Sequence, residues 1–304
     1  MSASISVKPQ STTLIEGTLQ AILHLPGVVQ RGTTLGYIGN LAANPDGRPT
    51  SVEQRVSFLK EAKNRLFSMG AQKVIGPIDG DTWHRYRLPL SGTSLTSFLE
   101  PNYPPFTAGD FISAGMPIIA TYRTSEVEDL SLALEQLANP ETIDLTTLKN
   151  CGVKVRCLRL DDFENEMSLI HQFSLKVFAS NFLYSDIELG SFQDLYRRIK
   201  PLLRKDLVLI AESDDNYGAI LGVVLAVPDP ANRSTIIVKT LARHPDAPRG
   251  LGRFLFYEVL ARAHQLGYRR AECALMKDDN FSAFLPDQLE GKVIRKFALF
   301  GCSQ

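Results

Sequence analysis

The sequence contains few of the residues that mark small disulfide-bonded or metal-binding proteins. Its 304 residues include five histidines and one tryptophan, and the histidines form no metal signature. Its four cysteines, Cys151, Cys157, Cys273 and Cys302, lack metal-ligand spacing and are too sparse for a disulfide scaffold. We therefore expect a reducing compartment and no bound metal.

The chain also lacks an excess of one charge and any long apolar run. Its 33 Lys and Arg residues balance 33 Asp and Glu residues, which argues against a general nucleic-acid or membrane binder. No segment approaches the ~18 apolar residues of a membrane span, and the first ten residues hold no signal-peptide run. We expect a soluble cytoplasmic protein with neither nucleic acid nor membrane as partner.

What is present is a globular composition, with 44% hydrophobic and 22% charged residues. At roughly 150 residues per domain, the length suggests two domains. In the second half, apolar periodicity predicts helices at 163–178, 191–204 and 252–266, and strands at 153–160, 206–212, 219–227, 234–243, 269–276 and 293–300. The fold class predicted is α/β (α+β).

The first half repeats part of this order. A strand at 36–43, a helix at 52–69 ended by Gly70 and a strand at 72–78 match the later series strand, helix, Gly267, strand. We interpret this as a distant internal duplication; chance agreement between two ordinary α/β units is the alternative. The predicted organisation is a degenerate half-domain at 1–125, a linker at 126–151 and a second domain at 152–304.

A glycine-rich turn predicts an anion site. Gly250-x-Gly252 lies between a predicted strand and helix, where backbone N–H groups can converge on a phosphate. Arg243, Arg249 and Arg253 add positive charge, although a Gly-x-Gly can also be only a tight turn. No Gly-Lys-Ser/Thr follows, so it is not a P-loop, and Leu255 stands where a dinucleotide fingerprint needs its third glycine.

The stretches Val238–Asp246 and Arg249–Arg253, followed by Asn280-x-x-Ala283, resemble the GCN5-related N-acetyltransferases (GNAT). The resemblance is strongest over residues 238–283. It implies a mixed, mostly antiparallel sheet flanked by helices, and an acyl-CoA, such as acetyl-CoA, as co-substrate. The strand would pair with the pantetheine arm, and the loop would wrap the pyrophosphate. The cofactor-binding residues so implied are Leu241, Ala242, Arg243, Arg249, Gly250, Leu251, Gly252, Arg253 and Asn280.

The sequence departs from that family at positions that matter for catalysis. Ala247 stands where the family loop usually begins with Gln or Arg, and no Tyr follows Asn280 to protonate a leaving thiolate. Pro248 removes one amide donor, so that five amides, 249–253, stay available. No catalytic base stands out. His244 and Glu272 are the candidates, with a turn residue and a salt-bridged carboxylate as the alternatives.

The first half differs at the corresponding loop. Thr50-x-x-Glu53 is the pattern of a capping box, in which side chains occupy the first amides of a helix. We therefore predict that this half binds no CoA. The aromatic segment 98–106, together with Trp83, Tyr86 and Phe111, either lines an acceptor pocket or packs between the halves.

The function predicted is acyl-CoA-dependent N-acyl transfer to a primary amine, of a small molecule or a peptide. A homodimer is compatible with the sequence. One alternative is a non-catalytic CoA-binding or protein-interaction module, which the missing Tyr favours. Another is aminoacyl transfer from a charged tRNA, against which the neutral charge and the intact glycine loop argue.

Overall fold

The structure is a computed structural model that describes residues 10–25, 29–30, 32–43, 49–92, 99–138, 151–214 and 218–304. The chain divides into two compact units. Unit 1 consists of Met1–Tyr122, Phe182–Ser185 and Arg295–Gln304, and unit 2 consists of Arg123–Asn181 and Asp186–Ile294. No helix among the described residues is long and apolar enough to cross a membrane.

The strands are β1 (Gln10–Glu16), β2 (Leu19–Leu25), β3 (Val29–Gln30), β4 (Thr33–Ala43), β5 (Lys73–Gly76), β6 (Leu88–Gly92), β7 (Ile118–Val127), β8 (Val153–Cys157), β9 (Val208–Ser213), β10 (Ile220–Pro228), β11 (Thr235–Arg243), β12 (Arg270–Lys277) and β13 (Lys292–Ser303). The helices are α1 (Val52–Ser68), α2 (Ala108–Ser113), α3 (Leu130–Leu137), α4 (Phe163–Phe178), α5 (Leu189–Ile199), α6 (Leu251–Gln265) and α7 (Phe281–Asp287).

In unit 1, the sheet order is β1-β2-β4-β5-β13, with β3 beside β4 and β6 beside β13. The pairs are antiparallel except β4 with β5, which are parallel and connected through α1. The apolar positions of α1 recur at helical spacing and are buried: Phe58, Leu59, Ala62 and Leu66. This face of α1 belongs to the apolar core of unit 1.

In unit 2, the sheet order from β12 is β12-β11-β10-β9-β8. The strands from β8 to β11 are antiparallel, whereas β11 and β12 are parallel and connected through α6. The predicted apolar stripe of α6 is buried in the core: Phe256, Val259, Leu260 and Ala263. The predicted fold class, a mixed and mostly antiparallel sheet flanked by helices, is confirmed.

Three features differ from the sequence-based expectations. The hairpin of β1 and β2 was not predicted. The range 126–151, expected to be a linker, holds the end of β7 and α3, whose Leu130 and Leu137 belong to the core of unit 2; residues 139–150 lie outside the described residues. The helix expected at 191–204 ends at Ile199, because Pro201 cannot continue the α-helical hydrogen bonds.

The last strand also differs from the expected domain boundary. We predicted that residues 152–304 form one domain, but Arg295–Gln304 belong to unit 1. There, Phe300 to Ser303 of β13 pair with Gly76 to Lys73 of β5. Local sequence patterns cannot predict this boundary, because strand pairing joins segments that are far apart in the chain.

Candidate functional site

The candidate site in unit 2 begins where β11 and β12 separate. Their parallel pairing runs from Thr235–Arg270 to Val238–Cys273 and ends there, although both strands continue. Against β10 on its other side, β11 has a bulge at Lys239. The edge of β11 after Val238 is therefore not paired with β12, and we call the place where the two strands part the opening.

The loop after β11 presents backbone amides at the start of α6. Gly250 is the N-cap of this helix, has a left-handed φ of +86°, and provides no side chain to cap the first turn. Leu251 N donates to Pro248 O at 3.3 Å. The amides of Arg249, Gly250, Gly252 and Arg253 have no acceptor among the residues that the structure describes. Four amides, rather than the five expected, are thus available to an anion.

The space around these amides is open. A Cβ added to Gly250 would meet no atom within 4 Å, and one added to Gly252 would lie 3.9 Å from Arg243 Cδ. Only Gly250 needs to be glycine for its backbone conformation. Because nothing in the folded chain requires Gly252, its lack of a side chain is consistent with close approach of a ligand.

The three arginines of the loop are not equivalent. The Arg243 guanidinium donates to the carbonyls of His244 and Pro245 at 3.3 Å and of Ala247 at 3.4 Å, so it braces the turn. Arg253 donates to Gln288 Oε1 at 2.8 Å, and its buried Nε has no partner in the described chain. Arg249 is exposed and forms no ion pair with a described residue, which leaves it available to an anion.

The other implied cofactor residues are placed as follows. Leu241 is half-buried against the core and Ala242 is buried, so the polar groups that these positions offer a ligand are those of the backbone. Asn280 is the exposed N-cap of α7, and its side chain does not cap that helix. Its assignment to the cofactor stays a prediction.

The contacts of His244 and Glu272 do not identify either residue as a catalytic base. The His244 backbone donates to Leu221 O at 2.7 Å, and the ring Nδ1 accepts from Asp246 N at 3.3 Å, which is the geometry of a turn residue. Glu272 is buried on β12 and interacts with other groups. Burial raises the pKa of the neighbouring Cys273 thiol to about 12, so this thiol is not a nucleophile at neutral pH.

Unit 1 contains the same strand pair without the opening. Pairing of β4 with β5 ends at Tyr37 and Ile75, but the chain after β5 stays against β4. Ile78 N donates to Ile38 O at 2.9 Å, and Asn40 N donates to Asp79 Oδ1 at 2.5 Å. The fit is close.

The contact at Gly39 shows how closely the chain after β5 packs against β4. A Cβ at this position would lie 2.1 Å from Ile78 O and 2.8 Å from Asp79 Cα. The chain segment at 78–79 therefore covers the edge of β4 that corresponds to the open edge of β11.

The helix start in unit 1 is also blocked. Ser51 is the N-cap of α1: its hydroxyl accepts from Gln54 N at 3.2 Å, and Gln54 Oε1 accepts from Ser51 N at 2.8 Å. The capping box predicted at Thr50 and Glu53 is wrong by one residue, because the sequence holds two overlapping box patterns and the helix begins at Val52. Residues 44–48 of this loop lie outside the described residues.

The aromatic residues considered for an acceptor pocket are engaged in unit 1. Tyr103 is buried and donates to Arg85 O at 2.7 Å, while Phe106 and Phe111 belong to the core. Trp83 Nε1 donates to Ser185 O at 2.8 Å. Tyr86 packs edge-on against Tyr122, with ring centroids 5.9 Å apart; Phe98 lies outside the described residues. These contacts are those of packing.

Comparison by sequence finds nothing similar: no protein-family model matches the chain, and no curated protein matches it. Solved structures do match. A tandem GNAT protein from the clavulanic acid biosynthesis pathway aligns at a TM-score of 0.51 and 14% identity, over 99% of this chain and 84% of that protein. A GNAT from Sphaerobacter thermophilus aligns at 0.51 and 12%, over 95% and 82%.

A probable N-acyltransferase of Enterococcus faecalis V583 aligns at a TM-score of 0.54 and 12% identity, over 94% of this chain and 59% of that one. Identities this low show the fold alone. The chain has the fold of the GCN5-related N-acetyltransferase superfamily.

Proposed function

We propose that the protein is an acyl-CoA-dependent N-acyltransferase whose unit 2 binds the acyl-CoA. The observation that supports this most strongly is a set of four amides at a glycine N-cap that have no acceptor among the described residues. They follow directly after the strand whose pairing with β12 ends at Val238. The amides of Arg249 and Gly250 belong to exposed residues, and a helix N-terminus with accessible amides favours an anion such as a diphosphate.

Each part of the site has a role in this proposal. The amides of Arg249, Gly250, Gly252 and Arg253 hold the diphosphate, and the Arg249 side chain neutralises it. The open edge of β11 offers N–H and C=O groups to the amide-containing arm of CoA, as a neighbouring strand would. Bound acyl-CoA supplies an acyl group activated as a thioester.

The proposed reaction is direct transfer of an acetyl group to a primary amine of a small molecule or peptide. In this proposal the two units descend from a duplication, and unit 1 has lost its site. The covered edge of β4 and the capped start of α1 support that view.

Calorimetric titration with CoA and acetyl-CoA tests the proposal. We expect saturable binding at one site per chain. Absence of binding at millimolar ligand would refute the cofactor assignment, and two sites per chain would refute the assignment of unit 1.

A non-catalytic CoA-binding module is the second candidate, because neither His244 nor Glu272 is placed as a base. An assay that measures the release of thiol from acetyl-CoA in the presence of a panel of primary amines distinguishes the acyltransferase from the non-catalytic module. Binding with no amine-dependent release across the panel would favour the module. Retarded migration of the protein with a charged tRNA would instead support aminoacyl transfer.

A further inference from the structure

A second cluster of polar side chains lies in unit 1, on the sheet face that the hairpin of β1 and β2 presents. Ser11 of β1 stands directly opposite His24 of β2, and Ser11 Oγ lies 3.1 Å from Nδ1 of the His24 ring. On the other side of the ring, His24 Nε2 lies 3.3 Å from Oδ1 of Asn40 on β4. A hydroxyl, an imidazole and an orienting acceptor in one row form the arrangement that activates a serine as a nucleophile.

The direction of the two hydrogen bonds follows from the chemistry of the groups. A neutral imidazole has one nitrogen that donates and one that accepts. Because Oδ1 of Asn40 can only accept, Nε2 of His24 carries the hydrogen and donates to it. Nδ1 is left with its lone pair and accepts from the Ser11 hydroxyl. In this tautomer, the histidine can act as a base towards the serine.

The backbone at Asn40 has the features of a functional position. Asn40 has a left-handed φ of +50° although it is not glycine, and such strained residues concentrate at functional sites. It lies where the register between β2 and β4 shifts at a β-bulge, which re-aims the side chains that it carries. The Asn40 amide donates to Asp79 Oδ1 at 2.5 Å and holds the bulge, while its side chain meets His24.

The turn at Gly80 passes beside the same histidine ring. A Cβ added to Gly80 would lie 3.7 Å from His24 Cε1 and 3.9 Å from Nδ1, the atom that faces Ser11. The amides of Asp81 and Thr82, which follow in this turn, have no acceptor among the residues that the structure describes. Two backbone amides of this kind can bind the oxygen that becomes negatively charged when a hydroxyl adds to a carbonyl group.

The surroundings of the serine favour an uncharged substrate. Asp81 Oδ1 accepts from Trp83 N at 2.8 Å and is paired with His84, so this carboxylate holds the turn. In the described part of unit 1, no cationic side chain that could bind an anionic substrate is hydrogen-bonded to Ser11 or His24. Ser11 is exposed, so that a substrate can reach its hydroxyl. These features fit a neutral carboxylic ester.

We propose that Ser11, His24 and Asn40 form a second catalytic site, which hydrolyses neutral carboxylic esters. The Ser11 oxygen bonds to the ester carbonyl carbon while its hydrogen passes to His24 Nδ1. The bond from that carbon to the alcohol oxygen breaks, and the departing oxygen takes the hydrogen. Water then adds to the acyl-serine and loses a proton to His24, and the acid leaves as Ser11 recovers its hydrogen. Asn40 does not touch the ester and is a positioning residue.

Hydrolysis of para-nitrophenyl acetate by the full chain, followed by the absorbance of the released nitrophenol, tests the proposal. We expect the rate to fall at least ~100-fold in Ser11→Ala and in His24→Gln, because the first loses the nucleophile and the second loses its base. Thr13→Ala is the matched control. It removes a hydroxyl from the same exposed face of β1 and should leave the rate unchanged.

Asn40→Gly tests the positioning role. Glycine adopts a φ of +50° without strain, so the bulge is kept while the acceptor for His24 Nε2 is lost. We expect a lower kcat with an unchanged KM, because the ester does not contact Asn40. An unchanged kcat in the folded variant would exclude Asn40 from the site.

Labelling with diisopropyl fluorophosphate, which reacts with activated serines, gives an independent readout by mass spectrometry. We expect one label per chain, on Ser11, in the wild type and in Thr13→Ala, and none in His24→Gln. Equal hydrolysis by the wild type and Ser11→Ala, or a label on any residue other than Ser11, would overturn the proposal. Calorimetry should show the same CoA affinity in Ser11→Ala as in the wild type, so this proposal and the proposed function of unit 2 can fail separately.

Discussion

In unit 1, the chain that leaves β5 turns back over the edge of β4, whereas in unit 2 the edge of β11 stays open after β12 departs. Both units place a helix between two parallel strands, α1 in one and α6 in the other. In unit 1, Ile78 and Asp79 occupy the backbone donors and acceptors of β4. In unit 2, the pairing of β11 with β12 ends at Val238, and β12 does not pair with the corresponding stretch.

The N-termini of α1 and α6 also differ in whether the chain itself satisfies the backbone groups. In α1 the Ser51 hydroxyl accepts from the amide of Gln54, while α6 starts at a glycine that has no side chain to cap its amides. The comparison teaches that one arrangement of strands and helix can be a self-contained scaffold or a ligand site. What decides is whether the chain satisfies its own polar groups.

The largest effect that we expect comes from Gly39→Ala in unit 1. The new Cβ would lie 2.1 Å from Ile78 O, so the segment over β4 must move. We expect the free energy of unfolding to fall by about 3 kcal/mol, measured by urea denaturation, with the same CoA affinity in the folded protein. A loss below about 1 kcal/mol would mean that the segment does not hold β4 as described.

Next in size is Gly250→Glu in unit 2, with Gly250→Gln as its control. Both residues are strained at a φ of +86° and should cost similar stability. Only Glu places a carboxylate beside the four amides, so we expect CoA binding at least ~100-fold weaker than in Gly250→Gln, or about 2.7 kcal/mol. Equal affinities by calorimetry would show that no phosphate sits there.

A smaller effect is expected from Gly252→Ala. The added methyl group has room in the folded chain, with its nearest atom 3.9 Å away, so stability should change by less than about 1 kcal/mol. Its Cβ would stand where a ligand approaches the amides, and we expect CoA affinity to fall ~10-fold. Thermal unfolding and calorimetry on the same sample check both parts, and unchanged affinity would contradict the second.

The smallest effect is expected at the cap of α1. Ser51→Ala removes the hydroxyl that accepts from Gln54 N and should cost about 1 kcal/mol of stability, with no change in CoA affinity. Thr50→Ala is the control: the Thr50 hydroxyl has no partner among described residues, so its loss should cost less. A weaker CoA affinity in Ser51→Ala would show that unit 1 takes part in binding.

Much of the candidate site could be read from local sequence. The glycine turn, the strand before it and the helix after it follow from residue type and spacing within a few positions. The number of available amides could not be predicted in this way, because the hydrogen bond from Leu251 N to Pro248 O depends on the path of the turn. Nor could the sequence tell that Arg243 braces the loop while Arg249 stays exposed.

The sequence by itself determined the periodic helices and strands, the mixed α/β class and the glycine start of α6, since these depend on interactions between near neighbours in the chain. Only the tertiary structure decided that Ile78 and Asp79 cover β4, and that the part of β13 from Arg295 onward joins unit 1. Each of these brings together segments about 40 or more residues apart. Such pairs form because the packed core fixes the sheet edges, which no local pattern encodes.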